Sequence, residues 1–236
     1  MKFAIIAAGE GSRLKEEGVH EDKPLVRLCG EPMIDRLIRI FRDQGATEIV
    51  TIVNARMPEV VAHVSKIAEK TKGTACPLRL VVKSTPTSMH SFYEISPMLT
   101  DAPFCLTTVD TIFREDDFAK YVATFSKSDV DGMMAVTDYI DDEKPLYVGT
   151  DMEMRITGFY DDKRDCRYIS GGIYALKPKA LDTLRKCIDE GQSRMRNFQR
   201  QLVTDGIRLQ AYAFPKILDV DHAEDIRKAE QFLTSK

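Results

Sequence analysis

The sequence is short of the features that mark secreted, membrane-spanning and nucleic-acid-binding proteins. It has five cysteines in 236 residues, an odd number without a CxxC pair, which argues against a disulfide framework or a zinc site. No apolar run approaches the ~20 residues of a membrane-spanning helix. With 34 Lys+Arg against 37 Asp+Glu, the net charge of -3 argues against bulk binding of nucleic acid or anionic membranes. We therefore expect a cytoplasmic protein with reduced thiols and neither of these partners.

The chain also lacks low-complexity segments, internal repeats and any linker that would divide it. Its 43% hydrophobic and 30% charged residues are close to the globular average, which excludes wholesale disorder. The apolar run after Lys2 is too short for a signal peptide and leads into charged residues, so it predicts a buried first strand. We expect a single domain over residues 1–236.

Hydrophobic patterning predicts an α/β fold. In the first half, apolar runs typical of strands buried on both faces alternate with segments of helical spacing. The predicted strands there are Phe3–Ala8, Glu48–Val53, Leu78–Lys83 and Phe104–Val109. After Asp110 the strand candidates are short and favour antiparallel pairing. The prediction is a Rossmann-like, mostly parallel central sheet with helices on both faces and a small antiparallel insertion.

A glycine-rich loop directly after the first strand is the most informative segment. Gly9 and Gly11 lie two apart within Ala8-Gly9-Glu10-Gly11-Ser12-Arg13. Glycines let the backbone turn tightly and bring its N–H groups close to a phosphate. A dinucleotide-binding GxGxxG would need Gly or Ala where Leu14 stands and has no cation at the position of Arg13. The loop therefore predicts a phosphate-binding turn, and an NAD-dependent oxidoreductase is a weaker alternative.

Further motifs follow the loop in a fixed order. They are Lys23-Pro24, Gly30-Glu31-Pro32-Met33-Ile34, Asp110 at a strand end, Ser170-Gly171-Gly172-Ile173-Tyr174, and a closing segment that contains Asp219-Val220-Asp221. Together with the loop, this order resembles the nucleotidyltransferase (sugar-nucleotide pyrophosphorylase) family, whose fold is GT-A-like. The resemblance runs from residue 4 to about residue 233. It implies a nucleotide-binding half over about residues 1–110 and an acceptor-binding half over about residues 111–236.

One segment departs from the family pattern. The usual GTAGA base-recognition stretch is replaced by residues 84–91, which read STPTSMHS. Ser88-Met89-His90-Ser91 is similar to the Asn-x-x-Ser of the branch that includes choline-phosphate cytidylyltransferases. The nucleobase and the acceptor both stay open.

The resemblance implies transfer of a nucleoside monophosphate from an NTP to a phosphorylated small molecule, with release of pyrophosphate. The acceptor would be a sugar 1-phosphate or a phospho- or phosphono-alcohol. Arg13 and Lys23 would be catalytic, because two anions must meet and a third must leave. The nucleotide would be bound by Ala8, Gly9, Gly11, Ser12, Arg13, Lys23 and Ser88.

The remaining implied site residues concern the acceptor and a metal ion. Lys163 and Gly172 would bind the acceptor. Asp110, with Asp219 or Asp221, would hold Mg2+, a hard cation that prefers carboxylate and phosphate oxygens. If residues 219–221 are extended, both carboxylates of that segment point to the same side.

The sequence is also compatible with other interpretations of the chain and of its acidic residues. The chain could be a catalytically silent homologue that binds a nucleotide or a sugar phosphate and has a regulatory role. Asp110 could instead cap a helix over Phe113–Ser126. The acidic clusters at residues 115–117 and 141–143 are most simply solvated surface. The sequence does not fix the oligomeric state, so a homo-oligomer is neither predicted nor excluded.

Overall fold

The structure is a computed structural model that describes residues 1–141 and 144–235. Two residues of the acidic cluster at 141–143 therefore lie outside the described residues. The strands are β1 (Lys2–Ala7), β2 (Arg27–Leu28), β3 (Glu31–Pro32), β4 (Glu48–Val53), β5 (Leu78–Val82), β6 (Phe104–Thr108), β7 (Thr111–Ile112), β8 (Gly132–Thr137), β9 (Tyr147–Thr150), β10 (Ile156–Tyr160), β11 (Tyr168–Leu176), β12 (Leu209–Ala213) and β13 (Leu218–Asp219). The helices are α1 (Ser12–Glu16), α2 (Met33–Asp43), α3 (Pro58–Thr71), α4 (Ser88–Ile95), α5 (Glu115–Lys127), α6 (Ala180–Asp189), α7 (Met195–Thr204) and α8 (Ala223–Thr234), with short 3₁₀ turns at Lys23–Leu25 and Ser96–Met98.

The central sheet joins a parallel half to an antiparallel half. Along its main path the strand order is β10-β9-β11-β6-β1-β4-β5, and β8 pairs with both β11 and β12. Strands β6, β1, β4 and β5 are mutually parallel, whereas β11 runs antiparallel to β6, β8 and β9. The predicted α/β class and its antiparallel insertion are confirmed.

Helices cover both faces of the sheet, which explains the uninterrupted apolar run of β1. Phe3, Ile5 and Ala7 pack in one core cluster with residues of α2, α3, α5 and α8. Ala4 and Ile6 point the other way and pack with residues of α4, α6 and α7. Because neighbouring side chains of a strand point to opposite faces, consecutive residues of a strand that is covered on both sides are mostly apolar.

The closing segment returns to the carboxyl end of β6. β13 pairs antiparallel with β7, which places Asp219 opposite Thr111. The Val220 N–H then donates to the carbonyl of Asp110 at 3.1 Å. Helix α5 begins at Glu115 with Arg114 at its N-cap, so the alternative in which Asp110 caps that helix is wrong.

Two further expectations about the chain can be compared with the structure. All five cysteines are free thiols, as their spacing predicts. Among the described residues, no helix is both long and apolar enough to span a bilayer.

Tyr121 of α5 fastens the junction between β8 and β11. Its side chain is fully buried. Its hydroxyl donates to the Met133 carbonyl at 2.6 Å and accepts the Ala175 N–H at 2.8 Å. Met133 and Ala175 are register partners in the two strands. The hydroxyl therefore satisfies backbone groups of both strands.

We expect Tyr121→Phe to lower the free energy of unfolding by about 1–3 kcal/mol, because it leaves buried backbone groups without a partner. Urea denaturation would measure the change. Tyr212→Phe is the matched control, because Tyr212 packs edge-on against Tyr121 and its hydroxyl makes no hydrogen bond among the described residues. Equal stability of the two variants would contradict the proposed role of the Tyr121 hydroxyl.

Candidate active site at the carboxyl ends of the parallel strands

A cleft of about 820 Å³ lies where the parallel strands end. Its walls are the loops after β1, β4, β5 and β6, because the carboxyl ends of parallel strands meet at one edge of a sheet. The cleft is lined by every residue that the resemblance assigns to the nucleotide, namely Ala8, Gly9, Gly11, Ser12, Arg13, Lys23 and Ser88. The sequence motifs are thus brought together at one place.

Gly11 is required by the close approach of Lys23. Its φ is +62°, in the left-handed region, and a Cβ there would lie 2.9 Å from the Cβ of Lys23. A Cβ on Gly9 would meet no described atom within 4 Å, so this glycine faces the open cleft. The loop therefore uses one glycine to admit Lys23 and leaves the other backbone surface accessible to a ligand.

A compact group of charges forms the floor of the cleft. The Lys23 ammonium, in a residue only 8% exposed, lies 2.5 Å from Asp110 Oδ2 and 2.7 Å from Asp221 Oδ1. Arg13 Nη1 contacts the other oxygen of Asp221 at 3.1 Å. Two cations and two carboxylates from the start, middle and end of the chain thus meet at this point.

These contacts keep the pair of Lys23 and Asp110 ionised at neutral pH. Burial disfavours the charged ammonium, but the two neighbouring carboxylates outweigh it and raise the pKa of Lys23. Burial likewise opposes the charged form of Asp110, yet the ammonium lowers the pKa of this carboxyl. Opposite charges a few ångströms apart favour each other's ionised forms.

Three carboxylates lie close together beside the cleft. Asp219 and Asp221 both line a small cavity of about 180 Å³ that also reaches Asp110, so they do point to the same side. Asp110 Oδ1 is buried and has no hydrogen-bond partner among the described residues. Burial and the charge of Asp219 raise the pKa of Tyr174, which lines the same cavity.

A metal ion would need more oxygen ligands than these residues alone supply. Within the described residues, no group of three or more His, Cys, Asp or Glu side chains is poised to hold an ion. Mg2+ usually binds one or two protein carboxylates and takes its other ligands from phosphates and water. The orphaned oxygen of Asp110 and the neighbouring carboxylates fit that pattern.

The two residues predicted to bind the acceptor lie in different surroundings. Gly172 sits where the pairing of β11 with β8 shifts register; its carbonyl accepts from Thr107 Oγ1 at 3.2 Å, and it lines the small cavity beside Asp110. Lys163 lies on the exposed turn between β10 and β11. Among the described residues, it does not line this cavity or the cleft. The structure therefore brings Gly172 to the site but not Lys163.

Asn54 is a site residue that sequence reasoning missed. It is 2% exposed, and its Nδ2 donates to the Ala8 carbonyl at 3.0 Å. Its Oδ1 accepts from the Arg56 N–H at 3.0 Å and from Ser84 Oγ at 2.6 Å. One amide thus ties together the loops after β1, β4 and β5. The available signal was a polar residue directly after the apolar run of β4.

Glu17 is a second residue that the sequence did not single out. Its two oxygens lie 2.6 Å from His222 Nδ1 and 2.7 Å from the Ala223 N–H. The hydrogen bond to His222 lowers the pKa of Glu17, and the carboxylate in turn raises the pKa of His222. This contact fastens the segment after the glycine loop to the start of α8, next to Asp221.

A model of the family described as nucleotidyl transferase matches residues 2–236 of the chain. Among curated proteins, mannose-1-phosphate guanyltransferase 2 of Candida glabrata is 28% identical over 205 residues, which make up 78% of this chain and 52% of that protein. The chain thus spans about half the length of this relative.

Two solved structures have the same fold. The inositol-1-phosphate CTP transferase from T. maritima superposes with a TM-score of 0.77 at 17% identity, covering 99% of this chain and 98% of that one. A putative glucose-1-phosphate thymidylyltransferase from Bacillus anthracis gives a TM-score of 0.82 at 18% identity, covering 100% and 96%. At these identities the superpositions establish the shared fold.

We expect Gly11→Ala to destabilise the protein and Gly9→Ala to leave its stability unchanged. A left-handed alanine costs about 1–2 kcal/mol, and at position 11 the added methyl group also collides with the side chain of Lys23. Thermal unfolding would compare the two variants. If the Gly11→Ala protein unfolds at the same temperature as the parent and binds ligands in the cleft equally well, the close approach of Lys23 does not depend on this glycine.

Proposed function

Because the chain belongs to the nucleotidyl transferase family, as its order of motifs predicts, we propose that it transfers a nucleoside monophosphate from an NTP to a phosphorylated small molecule and releases pyrophosphate. The observation that carries this proposal is the buried Lys23 ammonium between Asp110 and Asp221. It lies on the floor of a cleft whose rim is a glycine loop.

This reaction requires positive charge and alignment of the reactants from the protein rather than a general base. The phosphate of the acceptor carries about 1.5–2 negative charges at pH 7, so its oxygen is already a nucleophile. The backbone N–H groups from Gly9 to Ser12 would hold the triphosphate. Arg13 would bind the leaving pyrophosphate through its forked donors, and Lys23 would act as a point charge at the α-phosphate.

Asp221 is placed where substrate phosphates could displace it from Arg13 and Lys23. Its side chain is 44% exposed, whereas that of Asp110 is 20% exposed. Asp221 accepts from both Arg13 and Lys23, the cations that the triphosphate needs. Phosphate oxygens can therefore replace Asp221 on these two cations while Asp110 stays with Lys23. This keeps the cations paired both before and after the nucleotide binds.

Asp110, together with Asp219 or Asp221, would hold Mg2+. When bound, the ion would neutralise charge on the phosphates that react and leave. The buried Asp110 Oδ1, which lacks a partner among the described residues, supports this assignment. The additional carboxylates line the same small cavity.

The similar proteins are named for the same type of acceptor but for different nucleotides. A mannose, an inositol and a glucose phosphate are paired with guanylyl, cytidylyl and thymidylyl transfer. We therefore assign to this chain an acceptor of the same kind, a sugar 1-phosphate or a phospho- or phosphono-alcohol. Ser84, Thr85 and Ser88 line the part of the cleft after β5, where the base would lie. The hydroxyl of Ser84 already donates to Asn54 and can only accept from a base. The hydroxyl of Ser88, which has no partner among the described residues, can donate or accept, so this part of the cleft is compatible with more than one base.

We expect the protein, given Mg2+, each of four NTPs and a pool of phosphorylated sugars and alcohols, to release pyrophosphate with at least one pair. Lys23→Met should lower this rate by ~100-fold or more, because it removes a charge aimed at the reacting phosphate. It should also lower the free energy of unfolding by about 3–5 kcal/mol, since it leaves a buried carboxylate unpaired. Lys23→Met/Asp110→Asn removes both charges and should regain stability without regaining activity.

Recovery of the parental rate in that double variant would mean that Lys23 is only structural. A protein that binds NTP and Mg2+ but releases no pyrophosphate with any acceptor would instead favour a catalytically silent, nucleotide-binding homologue. Calorimetric titration of NTP into the folded protein separates this outcome from a failure to bind.

A second prediction concerns the proposed metal ion. Asp110→Asn, and at least one of Asp219→Asn and Asp221→Asn, should raise the Mg2+ concentration for half-maximal rate by ~10-fold or more, because affinity follows the charge of the ligands. Asp182→Asn is the control, as Asp182 is exposed on α6 and pairs with Arg185. If the variants at 219 and 221 both keep the parental rate and Mg2+ dependence, the shared-metal assignment fails.

A further inference from the structure

A cavity of about 700 Å³ outside the nucleotide cleft has a concentrated positive charge. It lies between the start of β9, the end of β10 and the start of α7, and we call it the basic cavity. Its charged lining consists of Lys144, Arg194, Arg196 and Arg200 against the single carboxylate of Asp161. The whole chain has a net charge of -3, so this local excess of cations is not a property of the average surface. Such an excess attracts anions.

Two of the three guanidinium groups in the basic cavity, those of Arg196 and Arg200, are held in place. Asp161 accepts from Arg196 at 2.6 Å and from Arg200 at 2.7 Å. Arg196 also donates to the Lys144 carbonyl at 3.1 Å, and Arg200 donates to the Phe159 carbonyl at 3.2 Å. A guanidinium has five N–H donors, so each arginine keeps donors for a further anion. Because the groups are already fixed, less conformational entropy is lost when an anion binds.

The basic cavity continues toward the proposed reaction centre. Lys144 and Arg196 also line a neighbouring cavity of about 470 Å³, which reaches Arg13, Asp219 and Asp221. This volume falls within the range of small-molecule sites. A molecule that fills it can therefore place one end at the charge cluster of the cleft and the other end at Arg196.

We propose that the basic cavity binds a second anionic group of the acceptor, a phosphate or a carboxylate remote from the phosphate that attacks the nucleotide. The proposal rests on the proposed function and narrows its acceptor to phosphorylated sugars or polyols with two anionic groups. Arg194 and Arg196 would contact the second group directly. Lys163, which the resemblance assigned to the acceptor, lies on an exposed turn and does not line either of these cavities among the described residues.

The test compares matched acceptors that differ by one anionic group. The pairs are glucose 1-phosphate with glucose 1,6-bisphosphate, inositol 1-phosphate with inositol 1,4-bisphosphate, and glycerol 3-phosphate with 3-phosphoglycerate. Binding is measured by calorimetric titration with Mg2+ and an NTP analogue whose α–β bridge is a methylene group, so that no pyrophosphate can be released and the heats report binding alone. For at least one pair, the doubly anionic member should bind ~10-fold or more tightly, as expected for charge-assisted hydrogen bonds to arginine.

Substitutions in the basic cavity test whether the tighter binding of the doubly anionic acceptor depends on its arginines. Arg194→Gln/Arg196→Gln should abolish it, so that the two members of each pair then bind with the same affinity. Arg194→Gln alone should reduce it, and the side chain of Arg194 makes no polar contact among the described residues, so this variant should keep its fold. Arg185→Gln is the matched control: Arg185 is an exposed arginine of α6 that pairs with Asp182 and, among the described residues, does not line the basic cavity. It should bind like the parent.

Three outcomes would overturn the proposal. The first is no preference for the doubly anionic member in any pair. The second is a preference that survives in the double variant, because the second anion would then bind elsewhere. The third is binding of the doubly anionic member without competition with its singly anionic match, which would make the basic cavity a separate effector site. Binding as predicted without any pyrophosphate release would instead refute the proposed function and leave the anion site standing.

Discussion

The ammonium group of Lys23, shared by the carboxylates of Asp110 and Asp221, is the interaction on which the site depends. It joins residues from the start, the middle and the end of the chain. A lysine so deeply buried requires opposite charges around it, since an unpaired ammonium would lose its proton or unfold the region. The glycine at position 11 and the return of β13 to β7 are what allow the three side chains to meet.

The two carboxylates that contact Lys23 differ in their exposure and in their other contacts. Asp110 is the less exposed of the two and is tied to the strand end, whereas Asp221 sits at the rim and also pairs with Arg13. In the protein alone, Lys23 and Arg13 are balanced by equal negative charge. A triphosphate adds several negative charges at this point, which is the electrostatic reason to expect a divalent cation with it. This balance supports the proposed use of Mg2+.

Much of the fold follows from local patterns in the sequence, and much of the site does not. The parallel strands are short segments rich in apolar and β-branched residues, so their positions were predicted to within a residue or two at β1, β4, β5 and β6. β13 is a two-residue strand, too short to show any periodicity. Its return beside Asp110 came only from the resemblance between motifs. The roles of Asn54 and Glu17 depend on hydrogen bonds between loops far apart in sequence, which no spacing rule encodes.

In the proposed function, nucleotide binding and acceptor binding would fall to different halves of the chain. Among the described residues that line the nucleotide cleft, only Asp221 comes from beyond residue 110. The basic cavity, in contrast, is built from residues 144–200, around the antiparallel strands β9 and β10 and the start of α7. In the proposed function, the parallel half would bind phosphate through backbone turns at the ends of its strands, where open α/β sheets place their ligands. The arginines of the basic cavity extend instead from helix α7 and its N-cap. In the proposed function, contacts to the acceptor would therefore come from α7, and contacts to the nucleotide from the loops after the parallel strands.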